Sequence, residues 1–451
     1  MILVLFMLNL KLKMIVKDRS WSPPTSLAVV WAVLTIGLWL VWLKTLEIWR
    51  YFNQPAEFYS HYKNNAAFFA GLVGLLFLIW LVSLSLDWFI NWKKKNIFYL
   101  VLIAFVLVSI IAVLIFPVGS MDLFCYLSTG RISGVNHLSP YFTTYAQLTN
   151  DLFFPALNKI VWAHNLSPYG PIAIGVNSLI AIITQNNILS GIIGFKLLAL
   201  VINSLNAWLI YKLAGRRAFT LYAFNPLIIF ELLINSHNEV LIIFFVLLSL
   251  WYLNRQKITS WLSLVLATLT KISALIFLPW YFFLSLKQKN LKTIFPWFLA
   301  ASALILFFLA YYPLANHDWL VAIKSLQSQA KQSKAAFYSP LITLLVWFFS
   351  LLKIKTAALI AIIAGRSIFI IGYTWLLLRL VKSSNPRPIS YYFLFSYGLL
   401  CLTGLTWLMP WYLTVLLVLL IIEQTRTNNF WLLIVYHLTT AYGLLYYLIL
   451  R

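Results

Sequence analysis

The chain has 451 residues, of which 63% are hydrophobic and 17% aromatic, while only 10% are charged. Soluble globular domains carry roughly 25% charged residues, so this composition excludes a soluble protein and predicts an integral membrane protein. The net charge of +23 does not indicate a nucleic-acid partner, because the basic residues lie in short clusters between apolar segments, as topology signals do.

Apolar segments recur along the whole chain, and those of about twenty residues are long enough to cross a bilayer as helices. The predicted spans are 26–43, 66–86, 97–117, 188–213, 218–234, 239–253, 294–314, 356–381, 389–405 and 429–449. Shorter apolar segments at 171–184, 259–270, 272–286, 339–352 and 409–423 predict re-entrant, tilted or broken helices, which are tolerated at membrane depth where they line a cavity. We therefore predict one all-α polytopic membrane domain over residues 1–451, with about 11–14 transmembrane or re-entrant helices.

The basic clusters predict the orientation in the cytoplasmic (plasma) membrane. With the N-terminus and the clusters at 93–95, 212–217, 255–257, 287–292, 353–355 and 379–387 inside, about two thirds of all Lys and Arg are cytoplasmic. The loops 118–170 and 315–338 then lie on the extracytoplasmic side, and we take 171–184 as re-entrant on that side. Acid–base chemistry on the outer face must come from the acids predicted there or at its edge, which are Glu47, Glu57, Asp122, Asp151, Glu239 and Asp318.

Asp122 begins the most informative motif, at the point where the third span ends and the first outer loop begins. Tyr126 follows at i+4 on the same helix face, and Arg131 follows soon after. The intervening apolar residues suggest a short helix that lies in the membrane interface. Asp122 can act as the base that accepts a proton from a sugar hydroxyl, or it can simply cap the helix N-terminus.

Aromatic turns and a polar hairpin tip supply further candidates for substrate binding. Ser-Pro and Gly-Pro turns present Tyr141 and Tyr169, which can contact a sugar or can be ordinary loop residues at the interface. Glu231 lies within a span that Asn225-Pro226 interrupts, and an ionisable residue there is by default functional. The tip His237-Asn238-Glu239 can meet Asp122, with Glu239 as a second catalytic candidate, or can be a solvated turn.

A sparse set of outer cations suits the phosphate of a lipid-linked donor. These candidates are Arg131, Lys271, Lys331 and Lys334, although the last two can also be solvated loop charges. Trp411 and Tyr412 follow Pro410 at a broken helix on the same face. They can bind substrate or belong to the aromatic belt of the membrane interface.

Nucleotide, hydrolase and metal motifs are missing from the chain. It has no Walker loop, dinucleotide glycine motif, His-rich metal spacing or Gly-x-Ser-x-Gly. Cys125 and Cys401 are too far apart in sequence to suggest a disulfide framework or a metal knuckle. Asp122 has no second acid two residues away, so no metal ligands and no required cofactor are predicted, although a divalent metal remains possible.

These motifs together resemble the membrane glycosyltransferases of the GT-C superfamily, in particular bacterial polyprenyl-phosphate-mannose-dependent mannosyltransferases. Those proteins typically carry an acid just after an early membrane helix, then a Tyr, a Gly-Arg and a Pro-Tyr. Here these are Asp122, Tyr126, Gly130-Arg131 and Pro140-Tyr141. Further matches are Tyr169-Gly170-Pro171, Asn225-Pro226, Glu231, the His237-Asn238-Glu239 tip, Lys271 and Pro410-Trp411-Tyr412. The tip ends in Glu239 where relatives often carry Asp.

The resemblance implies a GT-C-like fold and an inverting transfer with Asp122 as catalytic base. The donor would be a polyprenyl-phosphate hexose, most simply mannose, and the acceptor a lipid-linked glycan or another cell-envelope glycan or lipid. The transfer would occur on the outer membrane face, with membrane lipids around the protein. The alternative is a transporter or flippase for a lipid-linked or small polar substrate, which usually shows internal repeats and ionisable groups at the bilayer midplane.

Overall fold

The computed structural model describes residues 47–62, 71, 74, 95–253, 257–287, 302 and 338–449. Within these residues the chain forms helices and loops and no strand, which confirms the all-α class. The predicted spans 26–43, 66–86 and 294–314 fall wholly or almost wholly outside the described residues. The same holds for most of the predicted loop 315–338, including Lys331 and Lys334.

The α-helices follow the apolar segments of the sequence closely, and Pro171, Pro340 and Pro410 each stand at the start of one, where a missing N–H costs nothing. The α-helices are Pro55–Tyr62, Lys95–Leu114, Asp122–Gly130, Phe154–Leu157, Pro171–Thr184, Ile188–Ala223, Pro226–Ile228, Glu239–Tyr252, Lys257–Thr270, Leu278–Lys287, Pro340–Leu351, Ala357–Lys382, Ile389–Leu399, Pro410–Thr427 and Phe430–Ile449. Short 3₁₀ segments are Glu47–Asn53, Tyr145–Gln147 and Ile272–Phe277, and π-helical segments are Arg131–Val135, Ile229–Ile234 and Leu400–Gly404.

Two described helices, Ile188–Ala223 and Ala357–Lys382, are long and apolar enough to cross a membrane by themselves. Pro226–Ile234 and Glu239–Tyr252 form a third candidate, a pair bent by 114°. Large apolar side chains on the outside of the bundle are exposed, for example Ile371 at 68%. Such surfaces are stable in contact with lipid, so the structure is that of a polytopic membrane protein.

The boundary between the predicted spans 188–213 and 218–234 differs in the structure. One helical run, Ile188–Ala223, continues through the predicted gap and bends at Gly215, whose φ of 82° suits a residue without a Cβ. The break comes later, at Asn225-Pro226, where the Asn225 side chain accepts hydrogen bonds from the N–H groups of Leu227 and Ile228.

The short helix at Asp122 forms as predicted, but its apolar face packs against protein rather than facing lipid. Every residue of Asp122–Gly130 is buried in protein. Gly130 packs so closely on the helix Pro171–Thr184 that a Cβ there would lie 2.2 Å from the backbone oxygen of Asn177. Gly134, one turn later, approaches Ser178 in the same way. These small residues let the segment pack inside the bundle, so its apolar face contacts protein.

Two residues from the predicted basic clusters donate hydrogen bonds to residues at or near the end of another helix. Arg217 donates to Asn428 at 3.0 Å, and Lys287 donates to the Leu380 carbonyl at 3.0 Å. Trp49 donates to the Leu114 carbonyl at 2.9 Å, at the end of the helix that precedes Asp122. The candidate site lies beside the helix that begins at Asp122.

Candidate functional site

A cavity of about 510 Å³ opens beside the Asp122 helix. Among the described residues that line it, Asp122 is the only acid and Lys271 the only cation. The remaining wall combines polar residues and aromatic rings with a largely apolar side. The polar and aromatic part is formed by Ser128, Thr129, Tyr145, Trp162, Asn165, Ser167, Tyr169, Ser273, Tyr373, Trp407, Trp411 and Tyr412, and the apolar part includes Ile272, Leu275, Ile276, Pro279, Phe369, Leu400 and Leu405.

Asp122 is the first residue of its helix, and its carboxylate points toward the hairpin tip at His237. Oδ2 lies 3.5 Å from His237 Nδ1, and the Asp122 N–H donates to the Ser120 hydroxyl at 3.1 Å. The residue that precedes the helix is Met121, and no side-chain cap bond forms there. Burial opposes ionisation of Asp122, but the hydrogen bond and the charge of His237 outweigh it and lower the pKa of this carboxyl below its usual value.

His237 stands in the turn between the two halves of the bent pair and is fully buried. The preceding Ser236 has φ 57°, which gives the turn its sharp change of direction. The ring lies between two carboxylates, since Nε2 is 3.2 Å from Glu231 Oε2 on the side away from Asp122, without the angle of an aligned hydrogen bond. Trp411 stacks on the ring with centroids 4.1 Å apart and an interplanar angle of 19°.

Glu231 is held deep in the bundle by side chains from other elements. Tyr447 donates to Oε1 at 2.7 Å, and Asn235 donates to Oε2 at 3.2 Å. Asn235 also accepts from the Gly119 N–H at 2.9 Å, three residues before Asp122. The amide of Asn235 therefore connects the segment that carries Glu231 to the segment that carries Asp122.

Lys271 forms an ion pair with Glu239, in which Nζ lies 2.6 Å from Oε1. The ammonium also lies 4.1 Å from the centroid of the Tyr412 ring, within the range of a cation–π contact. Oε2 of Glu239 and the amide nitrogen of Asn238 are buried without a hydrogen-bond partner. Lys271 reaches the cavity, whereas Glu239 and Asn238 lie behind its wall.

Tyr169 lines the cavity, and Tyr126 and Tyr141 support it from behind. Its ring packs edge-on against Tyr126 at 5.2 Å, and its carbonyl accepts the Tyr141 hydroxyl at 2.9 Å. Gly170 is required here because a Cβ would lie 2.0 Å from the Leu269 carbonyl oxygen. The Tyr-Gly-Pro motif thus packs directly against the backbone that leads to Lys271.

Arg131 does not line the cavity, and its charge is already paired. Its Nε lies 2.6 Å from Asp151 Oδ1, with side-chain exposures of 3% and 1%, and its Nη1 donates to the Gln185 carbonyl at 2.5 Å. The guanidinium also lies over the Phe153 ring at 3.9 Å. These partners indicate a structural role for Arg131, and its contact with the substrate stays a prediction.

The predicted residues therefore fall into three groups. Asp122, Tyr169, Lys271, Trp411 and Tyr412 line the cavity, whereas Tyr126, His237, Asn238 and Glu239 lie directly behind it and Tyr141 and Arg131 brace the loop. Sequence reasoning missed Asp151, Trp162 and Tyr447 as parts of the site or its support. Only Asp151 had a signal, because the sequence places it among the outer acids and in the same loop as Arg131. Within the described chain no group of three or more His, Cys, Asp or Glu residues could hold a metal ion.

Comparison with known proteins gives a family. A family model described as "Alpha-(1->6)-mannopyranosyltransferase, N-terminal domain" matches residues 24–287, more than half of the chain. Alpha-(1->6)-mannopyranosyltransferase B of Corynebacterium glutamicum is 28% identical over 140 residues, 30% of this chain and 23% of that protein. Alpha-(1->6)-mannopyranosyltransferase A of Mycobacterium tuberculosis is 26% identical over 224 residues, 46% of this chain and 43% of that protein.

The matched segments thus span less than half the length of these two relatives. Comparison with solved structures gave no match. The family match covers Asp122 and Lys271, which line the cavity, and the hairpin tip, which lies behind it. The chain belongs to the alpha-(1->6)-mannopyranosyltransferase family.

Proposed function

We propose that this protein transfers a mannosyl residue from a polyprenyl-phosphate donor to a hydroxyl group of a lipid-linked glycan or another cell-envelope acceptor. The single observation that carries the proposal is the lining of the cavity, where Asp122 is the only acid and Lys271 the only cation among the described residues. A glycosyl transfer needs one proton acceptor and one partner for the departing phosphate. The names of the relatives supply the sugar and the α-(1→6) linkage.

The proposed reaction is a single displacement at the anomeric carbon. The acceptor oxygen forms the new bond to that carbon on one face while the bond to the phosphate oxygen breaks on the other, so the configuration inverts. Asp122, ionised because of its lowered pKa, takes the proton of the acceptor hydroxyl. The polyprenyl phosphate leaves as an anion beside the Lys271 ammonium, which needs no proton transfer to stabilise that charge.

The apolar side of the cavity supports a lipid-linked donor. Residues such as Ile272, Phe369 and Leu400 form a wall on which the first units of a polyprenyl chain can pack, next to the cation that would hold the phosphate. The positive-inside distribution supports a site on the extracytoplasmic side of the cytoplasmic membrane. The cavity that holds the acid and the cation favours the enzyme over the transporter alternative, although Glu231 and Lys196 are ionisable residues within predicted spans.

The test is a transfer assay with purified protein in lipid vesicles, supplied with radiolabelled polyprenyl-phosphate mannose and cell-envelope lipid acceptors. Asp122→Asn should lower turnover by about 10²–10⁴-fold, the usual contribution of a general base, while the protein stays folded. Glu57→Gln is the matched control, because Glu57 is an exposed acid outside the cavity, and it should keep normal turnover. Near-normal turnover by Asp122→Asn would remove Asp122 as the base and make Glu239 the next candidate.

A further inference from the structure

Glu231 is the buried acid that the proposed reaction leaves unused. It is completely buried, it does not line the cavity, and its segment is otherwise apolar. An ionised carboxylate in such a place is costly unless other groups compensate its charge. We propose that Glu231 is a positioning residue, which acts through His237 to keep the Asp122 carboxylate aimed into the cavity. The inference rests on the proposed role of Asp122 as the base.

The geometry forms a continuous array across three elements of the bundle. Tyr447 donates to Glu231 Oε1 at 2.7 Å, and Glu231 Oε2 lies 3.2 Å from His237 Nε2. On its other side His237 Nδ1 lies 3.5 Å from Asp122 Oδ2. Trp411 covers the ring face, so water cannot replace these partners from that direction.

The chemistry of imidazole makes the two carboxylates depend on each other. A neutral ring has one N–H donor and one acceptor, and only the doubly protonated ring can donate from both nitrogens. With Glu231 on the far side, the ring can carry its proton on Nε2 and still donate from Nδ1 toward Asp122. Without the Glu231 carboxylate, the buried imidazolium of His237 would have Asp122 as its counter-charge and no partner at Nε2. Loss of one proton from the ring could then remove the Nδ1–H donor that holds Asp122 in place.

Among the described residues, the other groups around His237 do not supply a second counter-charge. From the Asp122 helix the ring meets Asp122 and the Tyr126 hydroxyl, which lies 3.3 Å from Nδ1. From the helix Pro410–Thr427 it meets Trp411, which has no ionisable group. The Lys271–Glu239 pair beyond Asp122 is internally compensated. Within the part of the chain that the structure describes, Glu231 is therefore the group placed to hold the Nε2 proton.

A direct test reads the ring itself and needs no substrate. The chain has six histidines, so protein labelled with ¹⁵N-histidine in lipid vesicles gives few signals, and loss of one signal in His237→Gln assigns the ring. At pH 8 the wild-type ring should be protonated on both nitrogens, and in Glu231→Gln one nitrogen should have lost its proton. A neutral ring in the wild type at pH 6, or identical spectra of the two proteins, would overturn the inference without touching the proposed reaction.

The second test is the pH profile of turnover in the transfer assay. Between pH 6 and 8.5 the wild type should change little, whereas Glu231→Gln should lose about tenfold as the pH rises, because a misaligned base reduces the rate steeply. Tyr447→Phe, which keeps the Glu231 carboxylate and removes its hydrogen-bond donor, should show a smaller loss in the same direction. This variant carries the test if Glu231→Gln does not fold.

The control is Glu423→Gln, which removes another buried carboxylate, one that is paired with Arg426 and not with His237, and it should leave the shape of the pH profile unchanged. Parallel profiles for the wild type and both array variants would show that Glu231 has no positioning role.

Discussion

The Arg131–Asp151 pair offers a test of whether the Gly-Arg motif binds the donor or braces the loop. Asp151 accepts four hydrogen bonds, from Arg131 Nε at 2.6 Å, Tyr145 Oη at 2.7 Å, Asn136 Nδ2 at 2.8 Å and the Phe153 N–H at 2.9 Å. We expect Arg131→Met to keep the contact with the Phe153 ring while removing the charge. Because removal of one partner of a buried ion pair costs about 3–5 kcal/mol and Asp151 keeps three donors, the expected loss is about 3 kcal/mol.

Cys125 offers a local assay for this loss. It lies in the helix that precedes Arg131 and lines the cavity with only 8% of its surface exposed, so a thiol reagent too bulky to enter the cavity reaches it only when this region opens. In a Cys401→Ser background, a loss of about 3 kcal/mol should raise the labelling rate of Cys125 about 100-fold. Asp151→Asn should act in the same direction, and the double variant should be less than additive, because the two residues share one interaction.

The pH dependence gives this prediction a definite sign. Burial opposes ionisation of Asp151, but the hydrogen bonds from Arg131, Tyr145 and Asn136 outweigh it and lower its pKa. A depressed pKa means that the stabilisation is complete above the unfolded value of about 3.9 and is lost as the pH falls through the folded value. The coupling should thus be constant from pH 5 to 8. Unchanged labelling in Arg131→Met, together with weaker donor binding, would refute the structural role and restore Arg131 to the donor site.

Three further predictions follow from the cavity and the charge distribution. Lys271→Gln should weaken apparent donor affinity by about tenfold or more and acceptor affinity much less, because a charged hydrogen bond to phosphate is lost; equal effects on both substrates would exclude a phosphate role. Leu152 is 59% exposed in the predicted outer loop, so Leu152→Cys should react with an impermeant maleimide in whole cells. Leu352 is 58% exposed next to the predicted cytoplasmic cluster at 353–355, so Leu352→Cys should react only after lysis, and the reverse pattern would show that the predicted membrane orientation is wrong. Since the pKa of Asp122 is lowered, turnover should show no acid limb above pH 5 from this group, and a limb centred near pH 6 would argue against Asp122 as the base.

The helices could be predicted from the sequence because their signals are local. The segments predicted at 171–184, 356–381 and 389–405 are helical within one or two residues of those bounds, since apolar runs end at Pro, at charges or at short polar turns. The helix break at Asn225-Pro226 was also visible. The sequence predicted a gap between two spans where the structure has a kink at Gly215 within one helical run, because a Gly between basic residues is equally typical of a loop.

The partners of the polar residues could not be predicted, because they depend on distances between elements far apart in the chain. The sequence indicated that Glu231 was unusual, but not that it faces His237 and Tyr447. Lys196 had the same signal, an ionisable residue inside a predicted span, and received no role. In the structure its ammonium is buried and donates to carbonyls where two helical segments end, at Ile115 with 2.7 Å and at Leu233 with 3.3 Å.

The Pro410-Trp411-Tyr412 motif shows why site and fold are hard to separate in this protein. The proline fixes where the helix starts, and the next two residues place one ring on His237 and the other beside Lys271. The imidazole that holds the proposed base and the ammonium that would hold the phosphate are therefore covered by adjacent residues of one helical turn. A shift of that turn would move both covers together. A helix start that lies far away in the sequence thus contacts both His237, which holds Asp122, and Lys271. For this reason the surroundings of Asp122 and Lys271 could not be predicted from their own sequence neighbours.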